Sequence, residues 1–167
     1  VHMSLWDADG RPVTYDATAT FGLGATAGSF VAGMLEHMPA LCAVTAPTVV
    51  SYLRLTPHRW SAAYNNLGYR DREAGVRIPP IFETPGASAA DQYNVEYRAS
   101  DAAANPYLVL AVLIHAGLDG IRRRLPTPQA TDFDPTTLSA KQLKERGLVH
   151  LPQSLSEALN ALEADAV

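Results

Sequence analysis

Residues 94–118 read NVEYRASDAAANPYLVLAVLIHAGL. The first five alternate, which in an extended chain puts Asn94, Glu96 and Arg98 on one face and Val95 and Tyr97 on the other. Asn105-Pro106 then supplies a helix N-cap followed by proline at the first helical position. Tyr107 to Leu118 is apolar on every side, the pattern of a buried helix. A short two-faced strand that leads directly into a long helix makes this an α+β chain.

Upstream, Arg72 to Ile78 reads as a second short strand, ended by Pro79-Pro80 and preceded by Tyr64 to Tyr69. Val49 to Leu55 reads as a β-branched strand with Tyr52 and Arg54 on one face. Thr56 to Ser61 has neither a helical nor a strand period and is expected to be an exposed loop, as is Glu83 to Asp91. From Ala25 the apolar positions Phe30, Val31, Met34, Leu35, Met38, Leu41 and Cys42 recur at helical spacing, with Pro39 expected to kink or split the helix. Trp6 to Gly10 carries turn chemistry that closes a hairpin, and Arg11 to Tyr15 is its returning strand. Downstream of Arg122 a proline- and aspartate-rich connection leads to two short helices with capping-box signatures, Ser139 with Gln142 and Ser154 with Glu157. The expectation is an α+β fold, a largely antiparallel sheet with packed helices, whose main body is 1–124 and whose helical C-terminal extension, in the same domain, is 125–167.

Composition narrows the function. At 167 residues, 47% of them hydrophobic, the chain can bury a core without disulfides or metal staples. Its 13 basic and 17 acidic side chains give a net charge of −4, which disfavours a nucleic-acid or membrane-surface partner. The single Cys42 fits a reducing, cytoplasmic setting. No apolar run reaches the ~18 residues of a membrane span. A chain opening at Val1 without methionine reads as a piece of something longer.

The chemistry-bearing residues are the charges on the short strands. Glu96 and Arg98 share a face, and Arg72, Arg77 and Arg54 are expected on neighbouring strands. A solvated face with surface ion pairs is the simpler reading of any one strand. Four arginines gathered with one carboxylate suit an anion site, because guanidinium forks match carboxylate and phosphate. His115 reads as a satisfied core histidine, Met34 and Met38 as gap fillers, Cys42 as inert, and Arg122 to Arg124 as complements of a helix C-terminus. Gly22-Leu23-Gly24 lacks the context of a phosphate-binding turn.

Five ordered blocks carry a resemblance. Pro47 to Leu55 looks like P-T-x-N-S-Y-K-R-L, and Tyr69 to Pro79 is similar to R-N-R-x-A-x-x-R-I-P. Glu96-Tyr97-Arg98, Asn105-Pro106-Tyr107-Leu108 and Ala116-Gly117-Leu118-Asp119-Gly120 resemble E-x-R, N-P-Y-L and A-G-L-D-G. These are blocks of the C-terminal catalytic domain of the glutamine synthetase superfamily, and the resemblance is densest over Val1 to about Arg124. It implies an ATP-dependent ligase, using Mg²⁺ or Mn²⁺, that phosphorylates the side-chain carboxylate of glutamate and lets ammonia or an amine displace the phosphate. It implies further that Glu96 is a metal ligand, Arg54 and Arg98 hold substrate, Arg72 and Arg77 act on the nucleotide phosphates and the transferring group, and His2 and Ser4 face nucleotide. His2 is equally explained as a cloning remnant.

Departures from the pattern matter as much. The family loop P-G-x-E-A-P is here Pro57-His58-Arg59-Trp60-Ser61-Ala62, with Trp60 where a glutamate is expected. An aromatic there cannot act as a base but can pack against an amine, so substrate-binding Trp60 points to a divergent, glutamate-amine ligase-like branch. Val50, Leu53 and Asn94 also depart. Most of the family's metal carboxylates lie upstream of the matching region. The 167-residue chain alone is therefore expected to be inactive, and the full-length protein to be a homo-oligomer. The reading from another class is a non-catalytic domain of the same fold that binds anions or partners.

Overall fold

The computed structural model describes residues 1–82 and 85–165. The expected loop Glu83 to Asp91 thus falls partly outside the described residues at its start. Its end forms a one-turn helix.

A five-stranded sheet carries the site. Its strands are β1 (His2–Met3), β2 (Leu67–Tyr69), β3 (Val76–Ile78), β4 (Val95–Tyr97) and β5 (Ala130–Thr131), in the order β1-β4-β3-β2-β5. β4 pairs antiparallel with both β1 and β3, but β2 runs parallel to β3 and to β5. The sheet is therefore mixed, which corrects the expectation of a largely antiparallel one. Residues 70–75 alone join β2 to β3, a length that reads as a hairpin. The chain instead loops back to the start of β3, with Arg70 in the left-handed region (φ 59°) and its N–H donating to the Ile78 carbonyl at 2.8 Å. Parallel neighbours ordinarily need a dozen or more connecting residues. Three-residue strands shorten that requirement.

Helix and strand residues share one buried core cluster. α1 (Ala25–Glu36) and α2 (Met38–Thr45) are separate helices broken at His37, as Pro39 foretold. Their combined stretch Ala25–Thr45 is apolar and long enough to cross a membrane by composition, which corrects the expectation that no run reaches that length, and 67% of its most apolar window is buried in this fold. α3 (Ala89–Gln92) is capped by Ser88, and α4 (Pro106–Arg122) by Asn105, whose side chain accepts from the Tyr107 and Leu108 N–H groups. α5 (Ala140–Glu145) has the full Ser139/Gln142 capping box. In α6 (Leu155–Ala164) the Ser154 hydroxyl accepts from the Glu157 N–H, while the Glu157 carboxylate accepts from Gln153 instead. α1 packs on α4 and α2 on α6, and the 125–167 segment contributes β5, α5, α6 and the buried Leu151 and Ala158 to the same body.

The α1–α4 crossing explains the A-G-L-D-G block. A Cβ on Gly120 would stand 2.1 Å from the Ser29 carbonyl oxygen, and one on Gly33 would stand 2.1 Å from that of Ala116. The two backbones touch because both positions lack a side chain.

Three further expectations are corrected. Val49 to Leu55 is a turn with a 3₁₀ segment at Ser51–Leu53, not a strand, and exposes Val49, Val50 and Leu53. The chain turns back at Asp7–Gly10 as expected, with the Asp7 and Val13 N–H groups donating to the Arg11 and Leu5 carbonyls, but the returning segment forms only isolated bridges, Trp6 with Pro12 and Tyr15 with Leu23, and not a strand. α4 is not buried all round: Val109, Leu113 and Ala116 face the core while Tyr107, Leu110, Ile114 and His115 are exposed. An apolar outer face cannot be told from an inner one by composition. Met34, Met38 and Cys42 are fully buried, and burial pushes the Cys42 thiol up to about 12.

Candidate active site

The sheet brings Glu96, Arg77, Arg98 and His2 together. Cross-strand register pairs Glu96 with Arg77 on β3 and with His2 on β1. Alternation along β4 buries Val95 and Tyr97 and leaves Glu96 and Arg98 half-buried on the other face, as the sequence pattern requires. Arg98 Nη1 donates to Glu96 Oε1 at 2.8 Å, and Arg77 Nε stands 2.6 Å from Glu96 Oε2. The Arg77 approach is set by charge rather than alignment, since neither Arg77 Nε nor Glu96 Oε2, both buried atoms, has an aligned hydrogen-bond partner among the described residues. His2 Nε2 lies 3.7 Å from Glu96 Oε1, and its Nδ1 is 2.8 Å from Asn94 Oδ1. Burial disfavours the Glu96 charge, but Arg98, then Arg77 and His2, outweigh it and hold the carboxyl below its ordinary value.

The loop from Pro57 to Ser61 is tied to this cluster through its backbone. Arg98 Nη2 donates to the Trp60 carbonyl at 2.8 Å, and its Nε donates to the Arg72 carbonyl at 3.1 Å. On the other side Glu73 accepts from the N–H groups of His58 (2.9 Å) and Trp60 (2.8 Å). Both residues sit in the left-handed region, at φ 59° and 54°, which turns their N–H groups toward one carboxylate. Trp60 is 70% exposed, with the Arg72 guanidinium 5.3 Å from the centroid of its ring. Trp60 is no core anchor.

Two expected members stand apart. Arg72 lies in the connection before β3 and directs its guanidinium to Trp60 rather than to Glu96. Arg54 spends its donors on the Ser61 hydroxyl and on the carbonyls of Arg98, Ala99 and Ser100, so it braces β4 against the loop. The four arginines do not occupy four strands. Ser4 Oγ accepts from the Trp6 indole at 3.0 Å, and Ser4 is exposed beyond β1. Sequence reading missed Glu73, whose two partners lie 13 and 15 residues away and leave no periodic signature. Two hollows flank the cluster. One, of about 460 Å³, is lined by His2, Arg77, Asn94 and the exposed Phe82. The other, of about 400 Å³, lies between Pro57-His58 and residues 131–136.

Among the described residues no three histidine, cysteine or carboxylate side chains gather as a metal site. Glu96 nevertheless suits one ligand position: it is held ionised, and its Oε2 lacks an aligned hydrogen bond.

Comparison with known proteins gives these residues a setting. The sequence model of the glutamine synthetase catalytic domain matches residues 1–167. The chain is 42% identical over 168 residues to the gamma-glutamylpolyamine synthetase GlnA3 of Streptomyces coelicolor, and 40% identical to the glutamine synthetase of Pyrococcus furiosus. It is covered completely in both matches but spans only 35% and 36% of those relatives. Among solved structures, a glutamine synthase homolog superposes with a TM-score of 0.81 at 43% identity, over 98% of this chain and 34% of that one. A GmaS–ADP complex superposes with a TM-score of 0.78 at 34% identity, over 98% of this chain and 36% of that one. The chain belongs to the glutamine synthetase family, in the region covered by its catalytic domain.

Proposed function

We propose that this chain is the C-terminal part of an ATP-dependent ligase that joins an amine, rather than ammonia alone, to the γ-carboxylate of glutamate. The observation that carries the choice of amine is the exposed Trp60 ring at the cluster, on a loop held by Glu73 and Arg98. A tryptophan there offers an apolar surface and no base. The identity to a relative named for polyamines supports the same choice.

Each side chain then has a role. Arg98 presents its guanidinium between Glu96 and the Trp60 carbonyl, where it can hold the substrate carboxylate. Arg77 lies beside the His2/Phe82 hollow, which can take nucleotide, and offers positive charge to its phosphates. Arg72, with its guanidinium 5.3 Å from the centroid of the Trp60 ring, would neutralise charge on the transferring group. Arg54 supports the site from behind. Glu96 would supply one carboxylate to Mg²⁺ or Mn²⁺, which when bound neutralises phosphate charge. The other ligands would come from outside these 167 residues, so the chain alone should not turn over. The apolar outer face of α4, Tyr107 to Leu118, supports a homo-oligomer at full native length.

The test is phosphate release by the protein at full native length with glutamate, ATP, Mg²⁺ and a panel of ammonia, alkylamines and diamines. Turnover with amines is expected. Release with ammonia alone would remove the amine reading.

A further inference from the structure

The loop from Pro57 to Ser61 keeps its shape without burying its largest side chain. Trp60 is largely exposed, and His58 and Arg59 are exposed beside it. A tryptophan ordinarily fixes a loop by packing its ring into a core. Here the place of the ring depends on what binds the backbone. His58 and Trp60 both occupy the left-handed region, and neither is glycine. In a bulky residue that conformation persists only where the surroundings compel it.

The compelling group is Glu73. Its carboxylate is divided between the two strained residues, Oε2 accepting from the His58 N–H at 2.9 Å and Oε1 from the Trp60 N–H at 2.8 Å. Bonds to a charged acceptor are stronger than neutral ones. Backbone N–H groups that converge in a concavity bind anions, and in this loop the anion is the chain's own carboxylate. The other side of the latch is rigid. Asp71 Oδ1 accepts from the Glu73 N–H at 2.9 Å, Ala74 is fully buried, and the Gly75 N–H donates to the Asn66 side chain at 3.2 Å. A solvated surface glutamate would leave its oxygens to water, whereas the half-buried Glu73 commits both to one loop. It stands at the unspecified position of R-N-R-x-A, so the resemblance assigns it no role.

The same short connection carries Arg72, whose guanidinium lies beside the Trp60 ring, and Arg98 donates to the carbonyls of both Arg72 and Trp60. The Trp60 peptide is thus held at its carbonyl by Arg98 and at its N–H by Glu73. We propose that Glu73 is a positioning residue that latches the loop before substrate arrives and so presets the Trp60 ring beside Arg72. The loop is then a preformed wall of the acceptor site, with no ordering left to be done on binding, and the influence of Glu73 on the reaction passes through Trp60. Its place in the reaction rests on the ligase reading, but the latch does not.

The experiment uses the protein at full native length. Hydrogen exchange without substrates, read by mass spectrometry in peptides spanning residues 55–64, reports the amides of His58 and Trp60. They should be protected in the wild type and exchange roughly tenfold faster in Glu73→Ala, with Glu73→Gln, which keeps one acceptor oxygen, between the two. In steady-state kinetics Glu73→Ala should raise the KM for the acceptor roughly fivefold while kcat and the KM for ATP stay within about twofold, a split that a general loss of stability does not produce. Where Glu73→Ala fails to fold, Glu73→Gln decides on the same two readouts. Unprotected amides in the wild type, unchanged exchange in a folded variant, or faster exchange that leaves the acceptor KM unmoved would each overturn the proposal. Exchange that depends on Glu73 in a protein that transfers no γ-glutamyl group to any acceptor would support the latch and remove the ligase reading.

Discussion

Arg98 makes three contacts that no other cation could combine. Its Nη1 meets Glu96, its Nη2 the Trp60 carbonyl and its Nε the Arg72 carbonyl, so one planar fork fixes carboxylate, loop and connection at once. Lysine carries the charge as a compact point with three donors on one nitrogen and lacks the rigid planar fork that spans these three acceptors. Arg98→Lys should therefore lower kcat/KM for phosphate release about 10²–10³-fold in the full-length protein, the scale for losing a preorganised donor, with little change in melting temperature. A loss under threefold would show that Arg98 is an ordinary surface ion pair. The face shared by Glu96 and Arg98 was legible in the alternation of residues 94–98. The destinations of Arg54 and Arg72 were not, because a long flexible side chain chooses among carbonyls and rings that only the folded chain assembles.

Among the elements, the α1–α4 contact is set by missing side chains. Alanine favours a helix over glycine by ~1 kcal/mol, so Gly120→Ala would stabilise α4 if the site were open. A methyl 2.1 Å from the Ser29 carbonyl must instead push the helices apart, at a cost of about 1–3 kcal/mol. Urea denaturation should show net destabilisation, and a gain would mean that the helices do not touch there.

α1, α4 and α6 also share a proton-sensitive contact. His37, nearly buried, reaches Asp165 after α6 at 2.9 Å and Asp119 on α4 at 3.2 Å, and Arg123 joins Asp119 to Glu36. Burial opposes the imidazolium, but the hydrogen bonds to Asp165 and then Asp119 prevail and raise the His37 pKa above its ordinary 6.5. A raised folded-state pKa means that the folded protein binds the proton more tightly. Its stabilisation is complete below about pH 6.5 and fades as pH rises through the raised value. The melting temperature should accordingly fall as pH climbs through neutrality, and His37→Gln should flatten that slope. An identical slope in the variant would place the titrating group elsewhere. Helix α4 itself was visible from Asn105-Pro106, while its exposed outer face was not, since the face is apolar whether or not anything covers it within these residues. The mixed sheet escaped sequence reading for a related reason. A connection as short as residues 70–75 suggests a hairpin unless the strands are known to be only three residues long.

At the scale of the molecule, three of the five motif blocks meet around Glu96, through Arg54, Arg77 and Arg98, while Asn105–Leu108 and Ala116–Gly120 build helix α4 and its contact with α1. The upstream strands, the loop and the segment after Pro128 close around two hollows of opposite character, one beside Arg77 and one lined by acids. The motifs made the first region readable. The second is lined by residues 131–136, which belong to none of the five motif blocks and where Asp132 and Asp134 look like ordinary turn residues.

The most direct test is competition between ammonia and 1,4-diaminobutane for γ-glutamyl transfer by the full-length protein, in the wild type and in Trp60→Glu. The account predicts that the wild type favours the diamine in kcat/KM, and that a glutamate at position 60 shifts the ratio toward ammonia by at least tenfold. A wild-type enzyme that prefers ammonia, with a ratio unmoved by Trp60→Glu, would contradict it.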